Sequence, residues 1–319
     1  MCDSSGNQKF DKQERTEYMI SFGSDMEEQL ELAKGIRAKS VYASHTPEEL
    51  KEIYEKTRKE ERLIPTCEGD CLVRIYYPDI MEKPVPLYIN FHGGGFVREW
   101  RENDAIFCCK MIADNHCMVV DVDYKLAPEY KYPTAINESY DVVKWVFEHA
   151  EELGADKDNI VAGGHSAGGN ITASVVLLAN QKGDFRLKYQ ILDYPGLSSC
   201  KDGSEFEALE GAIPPERMNQ YRYLNFESEA DTKNPIASPI LAGPDMLRGL
   251  PPACIITAEM DGMKDDGELY GQKLVAAGVP VTLKRYLKSR HGFLINFMDE
   301  YDSALEFYSE ILKYAFSKG

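Results

Sequence analysis

The stretch from Ile160 to Asn180 constrains this chain more than any other. An apolar run, Ile160 to Ala162, reads as a buried strand. A helical run begins at Ala167, carries Ile171, Val175 and Leu178 at helical spacing, and meets a stop at Gly183. Between them lies Gly164-His165-Ser166-Ala167-Gly168. A serine on so sharp a turn sits at strained backbone angles, and small neighbours let strand and helix approach closely. Its hydroxyl then projects from the top of a sheet, at the positive end of the following helix. In a strand-turn-helix setting Gly-x-Ser-x-Gly points to a nucleophilic serine. The pentapeptide alone also fits a plain glycine-rich turn, so the rest of the chain has to decide.

Ahead of this stretch, residues 1–20 are polar and expected to be poorly ordered. Residues 24–39 read as a helix. A second helix is expected from Thr46 as N-cap, Pro47 at the first helical position and Glu49 closing a capping box, running to about Arg62. Strands follow near Leu63 and at Cys71–Tyr77, Val85–Phe91, Met118–Tyr124 and Tyr189–Tyr194, with helices at 103–114 and 133–153 between them. Residues 196–247 break the alternation, with short helices expected at 205–210 and 215–223. It resumes with strands at Ala253–Ala258 and Val281–Leu287, a helix at 265–277 and a final amphipathic helix. Repeated strand-helix units predict an α/β domain with a mostly parallel sheet flanked by helices. The expected organisation is an N-terminal helical cap segment over 1–60, a catalytic domain over 61–195 and 248–319, and a cap insertion over 196–247.

Composition narrows the function classes. The 319 residues suffice for one large core. No uninterrupted apolar run is long enough to span a membrane, and the N-terminus lacks a basic segment followed by an apolar one, so a cytoplasmic protein without stable membrane association is expected. The formal charge of −17 argues against nucleic acid and anionic membranes as partners, and mildly against highly acidic substrates. Eight cysteines without Cys-x2-Cys pairs predict reduced thiols, with Cys67 and Cys71 able to face each other across a hairpin.

Ser166 needs a base, and the chain has six histidines, at 45, 92, 116, 149, 165 and 291. His165 adjoins the serine, but neighbouring side chains on a strand project to opposite faces. His291 follows the last strand, where a loop reaches over the sheet's C-terminal edge. Asp261, just beyond the strand ending at Ala258, is the best-placed acid, ahead of Asp265, Asp266 and Glu268. His92-Gly93-Gly94-Gly95 follows another apolar strand, and such a loop turns backbone N–H groups toward a ligand. No phosphate-binding glycine pattern is present.

Taken together, the motifs are similar to those of the hormone-sensitive-lipase-like branch of the α/β-hydrolases over roughly residues 60–319. They are His92-Gly-Gly-Gly-Phe, Asp123-Tyr-Lys-Leu-Ala-Pro-Glu, Gly164-His-Ser-Ala-Gly-Gly-Asn, Asn234-Pro-Ile-Ala-Ser-Pro, Leu250-Pro-Pro-Ala, Asp261-Gly-Met-Lys-Asp-Asp-Gly-Glu and His291-Gly-Phe. The resemblance implies an α/β-hydrolase fold with a helical cap, Ser166 as nucleophile, His291 as base and Asp261 as the acid that orients it. It places oxyanion-hole donors among Gly93, Gly94 and Gly95, together with the N–H of Ala167. Two positions depart from the family pattern. His165 stands where an acid is usual, and Asp261-Gly262-Met263 stands for Asp-Pro-Leu.

The expected function is a serine carboxylic-ester hydrolase acting on small, short-chain esters through an acyl-enzyme, with no metal or cofactor and with a homodimer as the expected assembly. The alternatives are an amidase or deacetylase of a small acetylated compound, and a non-catalytic small-molecule receptor on the same fold.

Overall fold

The computed structural model describes residues 20–39, 46–81 and 84–317. The expectation for residues 1–20 falls almost wholly outside them, as does His45. Two helices, α1 (Met26–Ala38) and α2 (Glu48–Lys56), precede a hairpin of β1 (Arg58–Thr66) and β2 (Gly69–Tyr77). Next come β3 (Val85–Phe91), α3 (Glu102–Asn115), β4 (Met118–Asp123), α4 (Thr134–Glu148) and the single turn α5 (Ala150–Leu153). β5 (Ala155–His165) leads into α6 (Ala167–Lys182) and β6 (Tyr189–Asp193). A mostly irregular stretch holds α7 (Pro215–Asn225), α8 (Glu229–Thr232) and α9 (Pro244–Leu247). The chain closes with β7 (Ala253–Met260), α10 (Lys264–Ala276), β8 (Val281–Arg290) and α11 (Tyr301–Ser317).

The strands form one eight-stranded sheet in the order β1-β2-β4-β3-β5-β6-β7-β8. β1 with β2 and β2 with β4 are antiparallel, and the remaining pairs are parallel. Strand alternation divides the core in two. Leu87, Ile89 and Phe91 of β3 face the layer of α4 and α6, with Val143 and Val175, whereas Tyr88 faces α3 and α11, with Phe107, Tyr308 and Leu312. Burial on both faces is why β3, β4 and β5 read as short apolar runs rather than as alternating strands. Among the described residues no helix is long and apolar enough to cross a membrane.

Several boundaries differ from the expectation. The helix expected to reach Arg62 ends at Lys56, because Arg58 to Thr66 pair with Tyr77 to Gly69 across the hairpin. Ladder pairing overrides the helix preference of the Arg58-Lys59-Glu60-Glu61-Arg62 run, and those charges suit an edge strand. Pro47 rather than Thr46 occupies the N-cap of α2, with no side-chain cap. Between 205 and 210 there is no α-helix, only a tight 3-10 turn at Gly203–Glu205 capped by Asp202. Cys71 lies opposite Ile64 and not opposite Cys67, which sits in the exposed turn, and both thiols are free.

The two N-terminal helices part company. Leu32, Ala33 and Ile36 of α1 pack with Val97, Ala127 and Leu224, joining the loop after β3 to the end of α7. Leu50 and Ile53 of α2 pack on the far layer with α3 and α11. Of the two, α1 is the one that packs against the loops following β3 and β4.

Candidate active site

The site lies at the C-terminal ends of the parallel strands, where an open α/β sheet exposes its loop clefts. β5 ends at His165, and Ser166 follows at φ 56° and ψ −111°, a left-handed conformation that α6 stabilises from the next residue on. The Ser166 N–H donates to Asp193 O at 2.9 Å, and Ser166 O accepts from Asn170 N and Gly196 N. The turn closes because Gly168 lacks a Cβ. One built there would lie on the carbonyl oxygen of Phe91, the last residue of β3. The glycine therefore sets how near α6 approaches the sheet.

Asp261 leaves the end of β7 and His291 the end of β8, and the sheet order brings both to Ser166. His291 Nε2 is 2.8 Å from Ser166 Oγ, and His291 Nδ1 is 2.7 Å from Asp261 Oδ2. The other Asp261 oxygen accepts the Met263 N–H at 3.0 Å. Asp261 and His291 are buried, while Ser166 is half-exposed to the cavity. The Tyr194 ring meets the His291 ring edge-on at 5.0 Å and fixes its plane. A hydroxyl, an imidazole and a carboxylate in one hydrogen-bonded line form a charge arrangement that can activate the hydroxyl as a nucleophile.

Gly93, Gly94, Gly95 and Ala167 line the same cavity. Gly94 and Gly95 have φ of 135° and 63°, so an L side chain at either position would be strained. Among the described residues, the N–H groups of these four donate to no backbone acceptor in the loops around them. His92 braces this loop from below. Its ring stacks on Tyr124 at 4.2 Å, its Nδ1 lies 2.8 Å from Gly93 O, and Tyr124 Oη donates to His92 O at 2.8 Å. Burial lowers the His92 imidazole pKa, so it stays neutral at pH 7.

His165 points away from Ser166 into the protein. It is 1% exposed and its Nδ1 lies 2.7 Å from Asp193 Oδ2, while Phe107 meets its ring edge-on. Asp193 is its cross-strand neighbour on β6. Burial pushes the Asp193 carboxyl up, and the His165 hydrogen bond opposes that shift. The acid usual before the serine in similar chains is thus replaced by a histidine facing an acid one strand away.

A cavity of about 750 Å³ opens over Ser166. Its walls include Arg37 and Ala38 at the end of α1, Phe206 and Ile213 from the irregular stretch, and Met218 and Tyr221 of α7. Tyr221 rests on the glycine loop, where a Cβ on Gly95 would meet its ring at 2.6 Å. Asn170 Nδ2 donates to Gly196 O and Ala237 O, tying α6 to the start and the later part of the irregular stretch between β6 and β7. Neither Tyr221 nor Asn170 stood out as a site residue in the sequence. The asparagine was visible as the last residue of Gly-His-Ser-Ala-Gly-Gly-Asn, whereas a tyrosine in a polar helix carries no such signal. Among the described residues no group of three or more His, Cys, Asp or Glu side chains is arranged to hold a metal ion.

Comparison with known proteins agrees with this geometry. The family model of the alpha/beta hydrolase fold matches residues 88–295. Esterase LipI of Mycobacterium tuberculosis is 37% identical over 234 residues, covering 71% of this chain and 72% of that protein. An arylesterase of Saccharolobus solfataricus is 34% identical over 237 residues, covering 70% and 72%. Among solved structures, a hyperthermophilic esterase from the archaeon Pyrobaculum calidifontis superimposes with a TM-score of 0.79 at 32% identity, covering 90% of this chain and 93% of that one. Sheet order, elbow and sequence similarity converge, and the chain belongs to the α/β-hydrolase family, in its hormone-sensitive-lipase-like branch.

Proposed function

We propose that this chain hydrolyses short-chain carboxylic esters through an acyl-enzyme, with Ser166, His291 and Asp261 as the catalytic groups. The observation that carries the reading is the hydrogen-bonded line from Asp261 through His291 to Ser166, at 2.7 and 2.8 Å. Ser166 Oγ attacks the ester carbonyl carbon as His291 Nε2 takes its proton. The carbon–oxygen bond to the alcohol then breaks, and the imidazolium returns that proton to the leaving oxygen. A water deprotonated by His291 attacks the acyl group, the bond to Ser166 breaks as the imidazolium returns that proton to Ser166 Oγ, and the acid departs. Asp261 holds the Nδ1–H and stabilises the transient imidazolium. Backbone donors among Gly93, Gly94, Gly95 and Ala167 stabilise the oxyanion by roughly 3–4 kcal/mol each.

The preference for short acyl chains is supported by the cover over the cavity, which we assign to residues 20–39 and 196–247. A series of p-nitrophenyl esters from acetyl to long acyl chains is expected to peak at the short end. A maximum at the long end would make the protein a lipase instead. Labelling of Ser166 by a fluorophosphonate, absent in Ser166→Ala, is the companion measurement. An unlabelled wild-type chain would return the reading to a receptor, and anilides turned over faster than esters would make it an amidase. A cytoplasmic location and a homodimer complete the reading. The free thiols support the first, and Leu283 and Leu287, exposed on the edge strand β8, support the second; cell fractionation and sedimentation read them out.

A further inference from the structure

We propose that the natural ester carries an oxyanion group, a carboxylate or phosphate remote from the scissile bond, held by Arg98 and Arg217 at the cap side of the cavity. The inference rests on the ester-hydrolase reading and specifies its substrate class. The starting observation is an inversion of charge. The whole chain has 36 basic against 53 acidic residues. Seven basic side chains line the cavity above Ser166 against one acidic, Glu216. The net charge of −17 disfavours acidic substrates only as an average over the surface, and the cavity is the exception to that average.

Three of the seven already have carboxylate partners, Arg37 in a two-pronged pair with Glu129, Lys201 with Asp266, and Arg101 with the buried Asp104 at 3.9 Å. Arg98 and Arg217 have no carboxylate partner among the described residues. Arg98 is nonetheless fixed. Its Nε donates to Tyr221 Oη at 3.1 Å, its Nη1 to Lys39 O at 2.6 Å, and its backbone N–H to Gly94 O at 2.9 Å. Those contacts leave the rest of its N–H fork for a ligand. Arg217 precedes Tyr221 by one helical turn, so both lie on the same face of α7. Its side chain is half-buried and makes no hydrogen bond or ion pair with the described residues. Arg98 meets the hydroxyl of Tyr221, and Arg217 stands one turn before that tyrosine, which itself rests on the glycine loop. A planar guanidinium held in place without an acid suits two-pronged recognition of a carboxylate or phosphate. The arrangement can therefore seat one end of an anionic ester while its carbonyl lies at Ser166.

Matched ester pairs test this. Mono-4-nitrophenyl glutarate against 4-nitrophenyl pentanoate places the charge on the acyl side, with its uncatalysed hydrolysis subtracted. On the alcohol side, 4-acetoxybenzoate and 4-acetoxyphenyl phosphate are each compared with 4-acetoxybenzamide and distinguish carboxylate from phosphate. At least one anionic ester is expected to exceed its neutral counterpart roughly tenfold or more in kcat/KM at low salt, the gap narrowing at high salt. Arg217→Glu should bring that ratio to one or below, and Arg217→Gln should lie between, with thermal melts confirming that both fold. If every anionic ester falls at or below its neutral partner, or if the preference survives Arg217→Glu, the assignment is overturned while ester hydrolysis stands. If no ester of either kind is turned over, the ester-hydrolase reading fails and takes this one with it.

Discussion

The imidazole of His165 and the carboxylate of Asp193 meet at 2.7 Å in a place where neither reaches solvent. Next to Ser166 in sequence, His165 is the tempting alternative base, and strand alternation alone turns it away. Its partner was not legible, because Asp193 lies 28 residues later and becomes its neighbour only through the parallel register of β5 with β6. The pairing separates the two histidines experimentally. His291→Ala removes the base proposed for Ser166, so kcat on p-nitrophenyl acetate should fall on the order of 10⁴–10⁶-fold. His165→Ala instead leaves a buried carboxylate without its partner, a loss of about 3–5 kcal/mol. For a chain of this size that corresponds to a melting temperature roughly 5–10 °C lower. The protein that remains folded should keep kcat within about tenfold of wild type. Adding Asp193→Asn, which removes the stranded charge, should recover part of the stability. A folded but inactive His165→Ala beside an active His291→Ala would reverse the assignment of the base.

At the scale of elements, the sequence was most readable where local chemistry and tertiary packing agree. α6 begins at Ala167 and ends before Gly183, which adopts φ 73° as the expected stop, and α3 and α10 differ from expectation by about one residue at their ends. It was least readable where they disagree. Arg58 to Arg62 would continue α2 on propensity alone, yet pairing with β2 claims them. The stretch near 205–210 carries a helical composition but is tied down by Asp202 and Asn219 around a single tight turn. The same contrast between local and tertiary demands makes two glycine substitutions act in opposite directions. In α1, Gly35 is exposed, with open space where a Cβ would go, so Gly35→Ala should stabilise by about 0.5–1 kcal/mol through helix propensity. In α6, Gly168→Ala would drive a methyl into the Phe91 carbonyl, and because backbone faces it the elbow must open. Thermal melts and p-nitrophenyl acetate turnover read both. Gly35→Ala should melt slightly higher with activity retained, and Gly168→Ala should melt lower and lose most turnover. Wild-type behaviour of Gly168→Ala would mean that the close strand-helix approach is not required.

For the whole molecule, the fold class and the three catalytic candidates were legible because they lie in local motifs, whereas the strand order and the buried polar groups between strands were not. Asn90 and Asp121 look like ordinary strand residues, but β3 and β4 place them side by side in the core. Asp121 accepts from Asn90 Nδ2 at 2.8 Å and from Trp100 Nε1 at 2.6 Å. Burial, with the nearby Asp104 charge adding to it, pushes its carboxyl pKa up to about 7, while those two hydrogen bonds and Arg74 pull the other way. Between the ordinary carboxyl value of 3.8 and about 7, the folded chain therefore holds a proton at Asp121 that the unfolded chain has released. Stability follows the difference in bound protons, so this group makes the protein lose stability as pH rises through that window, by up to about 1.4 kcal/mol per pH unit. Above it the contribution is level, since both states are then ionised. Asp121→Asn removes the titration and forfeits one acceptor, so its absolute stability shifts by an amount that does not vary with pH. Denaturant unfolding of both proteins from pH 5 to 8 at constant ionic strength should show the wild type declining relative to the variant up to about pH 7 and running parallel beyond it. Curves that stay parallel throughout would place the Asp121 carboxyl back in the ordinary acidic range, and the other titrating groups would then have to account for any pH dependence of the fold.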